Sequence, residues 1–203
     1  PDVSQTLSPA ASSQIYDCKG RLITTVHAEQ NRLPVKLADT PKDLQNAFIA
    51  AEDIRFYKHH GIDPIGIARA VVSNIRHRDA TGQGGSTITQ QLARNVYLSD
   101  IKSQRSMSRK ITEAYYTIIL EKNLSKKQIM EAYLNTISLG FNSYGIEAAS
   151  QAYFSKDAKD MDTLECASLA ALPKSPTSYA LVQAIYDGTN RSGLPVISST
   201  DSV

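Results

Sequence analysis

From residue 40 to residue 173 one pattern repeats along the chain: a helix-capping residue, then apolar side chains three and four positions apart. That spacing puts the apolar groups on one stripe of a 3.6-residue helix, and the stripe must be buried against other helices. Thr40 precedes Pro41, which reads as an N-cap with proline at the first helical position. Leu44, Ala47, Phe48 and Ala51 follow at i, i+3, i+4 and i+7. Residues 62–77 form a second helical stretch, broken by RDATGQGGS at 78–86. A helix starts at Thr87 and runs to Leu98, a polar loop spans Ser99–Ser106, and a long helix covers 108–123. Ser125 caps a helix with the apolar face Ile129, Met130, Tyr133, Leu134 and Ile137, and Gly140–Gly145 is a turn. Thr163 is read as the cap of an Ala-rich helix that stops before Pro173. Ahead of the helices, two β-rich runs flank Asp17-Cys18-Lys19-Gly20, a hairpin pattern. The expected class is mainly α with a short N-terminal β-hairpin.

Composition narrows what such a fold does. The 203 residues are 41% hydrophobic and 21% charged, enough for one domain with a core. Net charge is only +2, from 22 basic and 20 acidic residues, which argues against a nucleic-acid binder. No run of about 18 apolar residues is present to span a bilayer. The chain starts at Pro1, without Met or signal peptide, and reads as a fragment or processed domain. Cys18 and Cys166 form no CxxC; a buried free thiol at 166 and a Cys18–Cys166 pair are both open readings. His27, His59, His60 and His77 make no helical zinc motif, so no metal site is readable. Ser99-Asp100-Ile101-Lys102 fits SxxK but lacks a KTG partner and sits in a polar loop, a chance match.

Three constellations carry chemistry. Glu52 continues the stripe of Leu44 and Phe48, so it faces the core side of its helix. Burial disfavours a carboxylate's charged form, and a carboxylate poised near the working pH suits general acid–base work. An ordinary ion pair with Arg55 or a histidine accounts for the same placement. Gly82-Gln83-Gly84-Gly85-Ser86-Thr87 feeds a helix N-terminus, whose free N–H groups suit a phosphate. It lacks both the P-loop Lys-Ser/Thr and the strand of a dinucleotide fingerprint, and a plain connector fits equally. Arg105, Arg109 and Glu113 are four apart, with Lys110 beside them and Arg94 upstream, a cluster that matches a diphosphate or a solvated helix with i,i+4 pairs. Lys126-Lys127 opens a helix against the dipole preference, a weak pointer to an external anion.

Taken in order, these segments resemble the signatures of the family-51 glycosyltransferases, the peptidoglycan glycosyltransferase domains of class A penicillin-binding proteins and of monofunctional enzymes. Glu52-Asp53-x-x-Phe56-x-x-His59-x-Gly61 resembles the first motif, and Gly84-x-Ser86-Thr87-Ile88-Thr89-Gln90-Gln91 the second. Arg109-Lys110-x-x-Glu113 resembles the third, and Lys126-x-x-Ile129-Met130-Glu131-x-Tyr133-Leu134-Asn135 the fourth. The match divides the chain into a flexible lead-in (1–14), a glycosyltransferase domain (15–179, with 15–38 as its β-hairpin opening) and a divergent or truncated tail (180–203). Departures are a longer loop between Arg94 and Arg105, Ser138-Leu139 in place of an aromatic pair, and no recognisable Arg-rich helix in the tail.

The resemblance implies a lysozyme-like, bilobed helical fold. It also implies polymerisation of lipid II into β-1,4-linked glycan with release of undecaprenyl diphosphate. Glu52 and Glu113 would be catalytic. Asp53, Phe56, His59, Gly84, Ser86, Thr87, Gln90, Gln91, Arg94, Arg105, Arg109, Lys110 and Asn135 would bind substrate. A divalent cation, magnesium or manganese, at the diphosphate is allowed though not required. The implied partners are lipid II, the growing glycan chain, the membrane surface, moenomycin-type inhibitors and a transpeptidase domain in a full-length protein, with no nucleic acid. The implied location is the extracytoplasmic face of the bacterial membrane. Two rivals are a catalytically impaired lipid II-binding scaffold and a lysozyme-like hydrolase, which would not need the arginine row.

Overall fold

The computed structural model describes residues 13–16, 18–26, 31–77, 85–101, 106–140 and 142–174. Strands β1 (Ser13–Tyr16) and β2 (Leu22–Val26) pair antiparallel, with Ser13 opposite Val26, and Gly20 in the turn takes a φ of 75°. Most of the other described residues are helical: α1 (Lys42–Glu52), α2 (Pro64–His77), α3 (Ile88–Tyr97), α4 (Met107–Asn123), α5 (Lys126–Thr136), α6 (Ile146–Phe154) and α7 (Thr163–Ala171). A short parallel pair joins β3 (Asn31–Arg32) to β4 (Ser143–Tyr144), tying the start of the domain to the turn after α5. The expected mainly α class with an N-terminal hairpin is what the described residues form.

Helix starts follow their capping chemistry. Thr87, Ser125 and Asp162 each close a capping box with Gln90, Gln128 and Glu165, which typically contributes about 1 kcal/mol per cap. Two caps differ from the sequence reading. The Thr40 hydroxyl donates back to the Leu37 carbonyl at 2.8 Å, and Pro41 takes the N-cap position without a side-chain bond. Thr163 donates to Asp43 at 2.6 Å, while Asp162, the better acceptor, caps α7. The paired-cysteine reading is also overturned: Cys18 is exposed and Cys166 is buried, both as free thiols, with burial pushing Cys166 up to about 11.

The core lies where α3 meets α4 and α5, and where α1 meets α7. Leu44, Phe48, Ile88, Leu92, Ile129, Met130 and Tyr133 are fully buried there, so the apolar stripes of α1 and α5 face inward as their spacing requires. The Tyr133 ring meets Phe48 edge-on at 6.0 Å, a geometry worth about 0.5–1.5 kcal/mol beyond its area. Gly61, at a φ of 88°, lies so close to α4 that a Cβ would sit 2.7 Å from Thr117 Cγ2. Only glycine fits both constraints, and this brings the loop after α1 against α4.

Candidate active site

Glu52 is the last residue of α1. Its Oε2 accepts from Gln91 Nε2 on α3 at 2.7 Å. Its Oε1 is buried and has no hydrogen-bond partner among the described residues. Among the described residues, neither Arg55 nor a histidine pairs with it. Arg55 Nε bonds Asp63 instead, at 3.1 and 3.3 Å. Burial alone would raise the Asp63 carboxyl, but the Gly66 N–H and the Arg55 guanidinium outweigh it and hold it below the ordinary carboxylate range.

Asp53 is buried and works on structure. Its carboxylate takes His59 Nε2 at 2.9 and 3.0 Å and the Ile88 N–H, in the first turn of α3, at 3.0 Å. His59 Nδ1 accepts the Gly61 N–H at 3.2 Å, so Nε2 carries the proton given to Asp53. The Thr87 hydroxyl donates to the Gly61 carbonyl and accepts from Gln90 N, and the Gln90 side-chain oxygen accepts from Thr87 N at 3.0 Å. Asp53, His59, Thr87 and Gln90 therefore lock the N-terminus of α3 onto the loop after α1.

Several residues expected to contact substrate are engaged within the protein. Thr87 and Gln90 are buried in the capping box, and Phe56 is wholly buried, with Lys126 Nζ 4.5 Å from its ring centre. Asn135 clamps the backbone of Val35, accepting from its N at 2.9 Å and donating to its O at 2.8 Å. Each was placed in the site on motif position, and each has its polar groups or its ring committed inside the protein. Lys126 is not held open for an external anion either, since it pairs with Glu121 at 2.7 Å. Gly84 and Arg105 lie outside the described residues.

The second centre is Glu113 on α4, fully buried, with Arg109 Nη1 at 2.7 Å, Lys110 Nζ on its other oxygen, and Arg94 Nη1 at 3.8 Å. Lys110 also donates to Ser86 Oγ at 3.1 Å. Three cations converge on this one carboxylate, on side chains that are 28% (Arg94), 12% (Arg109) and 40% (Lys110) exposed. A buried carboxylate that fixes cations while leaving them reachable suits an incoming polyanion. The Glu52 and Glu113 centres share α3: Gln91 and Arg94 are three residues apart on one face, one reaching each glutamate.

Tyr133 is read from sequence as part of an apolar stripe and of the fourth motif, and in the structure its hydroxyl donates to Gln91 Oε1 at 3.3 Å. A tyrosine buried in such a stripe must find its O–H a partner, which is the signal that marks it.

A family model described as Transglycosylase matches residues 19–194. The chain belongs to the transglycosylase family. Penicillin-binding protein 1A from Haemophilus influenzae is 50% identical to this transglycosylase domain over 165 residues, 81% of this chain and 19% of that protein. Penicillin-binding protein 1A from Clostridium acetobutylicum is 49% identical over 172 residues, 82% of this chain and 21% of that protein. The domain thus spans about a fifth of the length of these relatives. A solved structure of penicillin-binding protein 1A from Haemophilus influenzae aligns with 83% of this chain and 15% of that one, at 27% identity and a TM-score of 0.34. The expectation of a family-51 glycosyltransferase domain is borne out. The family match continues past residue 179 into the segment read from sequence as a divergent tail.

Proposed function

We propose that this domain polymerises lipid II, with Glu52 as general base and the cations around Glu113 receiving the leaving diphosphate. The observation that carries the reading is the divided state of Glu52, with Oε2 held by Gln91 and Oε1 buried and unpaired. Oε1 takes the proton of the acceptor sugar's 4-hydroxyl. The oxygen so released bonds to the anomeric carbon of the growing chain, with inversion. The bond from that carbon to undecaprenyl diphosphate breaks, and its electron pair leaves with the diphosphate. Arg94, Arg109 and Lys110 neutralise the charge that develops there. Both Glu113 oxygens are occupied, by Arg109 and Lys110, so its donor set does not fit a divalent cation. The test is incubation with labelled lipid II and separation of polymer from monomer. Polymer supports the reading, cleavage of preformed glycan indicates a hydrolase, and binding without either indicates a scaffold.

Arg109→Ala probes the diphosphate side. A charge-assisted contact typically contributes about 1.5–3 kcal/mol, so turnover of lipid II falls at least about tenfold, beyond any loss of folded protein. Polymerisation at the normal rate would reduce the cluster to a solvated helix face.

The substrate's polyprenyl tail stays in the bilayer, so the cleft opens near a lipid surface. On α2, Ile65, Ile67, Val71, Val72 and Ile75 are exposed, with Arg69 and Arg76 exposed beside them. On α4, Met107, Ile111, Tyr115 and Ile118 are exposed at intervals of four, four and three residues, a single stripe. In an ordinary buried helix these side chains would be covered. Apolar side chains with arginines at their rim suit the interface of an anionic membrane. None of the described helices is long and apolar enough to cross one. The isolated chain is expected to float with anionic liposomes at low salt, and no binding would sink the idea.

A further inference from the structure

Gln91 stands between two groups with different demands. Its Nε2 donates to Glu52 Oε2 at 2.7 Å, and its Oε1 accepts from the Tyr133 hydroxyl at 3.3 Å. A carboxylate only accepts, so Glu52 needs the NH₂ end of the carboxamide. The amide presents that end only while its carbonyl is satisfied on the opposite side. Gln91 is 9% exposed and Tyr133 fully buried, so a carbonyl without the phenol would lack a partner in a closed site. The Tyr133 ring is itself fixed, edge-on against Phe48, one helical turn before Glu52 on α1. One side chain of α5 thus sets the register of α1 and the orientation of an α3 amide together.

We infer that Tyr133 is a positioning residue for glycosyl transfer, orienting Gln91 so that Glu52 Oε2 is tethered and Oε1 alone is presented to the acceptor hydroxyl. This rests on the reading of Glu52 as the base. The ionisable groups around the relay are Tyr133 from α5, Arg94 from α3, and Asp53 after α1, the last bound by His59. Burial, then the Glu52 charge, push the Tyr133 phenol well above the ordinary tyrosine range, with Arg94 opposing and Asp53 adding. The hydroxyl therefore stays protonated and remains a donor throughout the neutral range.

The experiment is steady-state lipid II polymerisation by the 203-residue chain as a function of pH, in Tyr133→Phe, Gln91→Leu, the double variant and Glu52→Gln. Tyr133→Phe keeps the ring against Phe48 and removes the donor. The expected result is a fall in kcat of about tenfold with KM within about twofold, because one hydrogen bond to a charged group is weakened. The low-pH limb of the rate profile moves to higher pH, since the donor to the charged form of the base is less firmly held. Gln91→Leu moves the limb the same way, and adding Tyr133→Phe to it moves the limb no further. A purely structural Tyr133 would lower the melting temperature and the active fraction and leave the limb unmoved; that result overturns the inference. If Tyr133→Phe does not fold, Gln91→Leu decides, with an unmoved limb overturning the relay. Near-normal Glu52→Gln would overturn the base assignment itself, whereas inactive Glu52→Gln beside unaffected Tyr133→Phe removes the positioning role alone.

Discussion

Glu52→Gln lowers the rate of glycan synthesis by at least about a hundredfold, the lower end of what a general base supplies. The substitution keeps the side chain's shape and its place at the end of α1, and removes only the basic oxygen. Gln91 has Nε2 on Oε2 at 2.7 Å, and an amide in that position can still offer a carbonyl to it. Folding is therefore largely retained, and a melting curve near wild type is the control. Lipid II binding largely survives, because the Arg94, Arg109 and Lys110 cluster lies on the other glutamate. Any residual activity loses its low-pH limb, because no titrating base is left. A variant that polymerises at near the normal rate would refute the assignment and make Glu113 the better candidate.

Glu113→Gln has a different signature. The carboxylate is fully buried and holds Arg109 at 2.7 Å, Lys110 on its second oxygen and Arg94 at 3.8 Å. Removing one partner from a buried ionic cluster typically costs about 3–5 kcal/mol. Arg94 and Lys110 are partly solvated, which screens the cations left behind and places the expected loss near the lower figure. Both the melting temperature and the polymerisation rate fall, the rate by at least about tenfold, because the cations lose their fixed geometry. The low-pH limb stays where it is, since the base is untouched. A Glu113→Gln protein with normal stability and normal turnover would mean that the cluster neither holds α3 to α4 nor meets the diphosphate.

The two variants separate by pH profile as well as by magnitude. On the proposed mechanism, one removes the group that takes the proton, and the other loosens the groups that receive the leaving charge.

The sequence by itself determined the helical succession and singled out the two glutamates as candidates. Capping and amphipathic periodicity act over three to seven residues, so they are readable without tertiary knowledge. Thr87 and Ser125 cap where their spacing indicates, and the α5 face of Ile129, Met130, Tyr133, Leu134 and Ile137 is buried as a whole. At two helix starts the cap lies one residue from the position read in the sequence, at Pro41 instead of Thr40 and at Asp162 instead of Thr163. What each motif side chain touches was decided only by tertiary structure. Motif position grouped Phe56, Thr87, Gln90 and Asn135 with the substrate contacts; packing committed them to the core, to a capping box and to the Val35 backbone. The partners that define the site are remote in the chain: Gln91 is 39 residues from Glu52, Tyr133 is 42 from Gln91, and Val35 is 100 from Asn135. A hydrogen bond needs its two atoms within about 3.5 Å, and periodicity along one helix says nothing about which face of a distant helix arrives there. Sequence therefore brought Glu52 forward as the candidate base, and the crossing of α1, α3 and α5 decided that one of its oxygens is tied and the other is left unpaired.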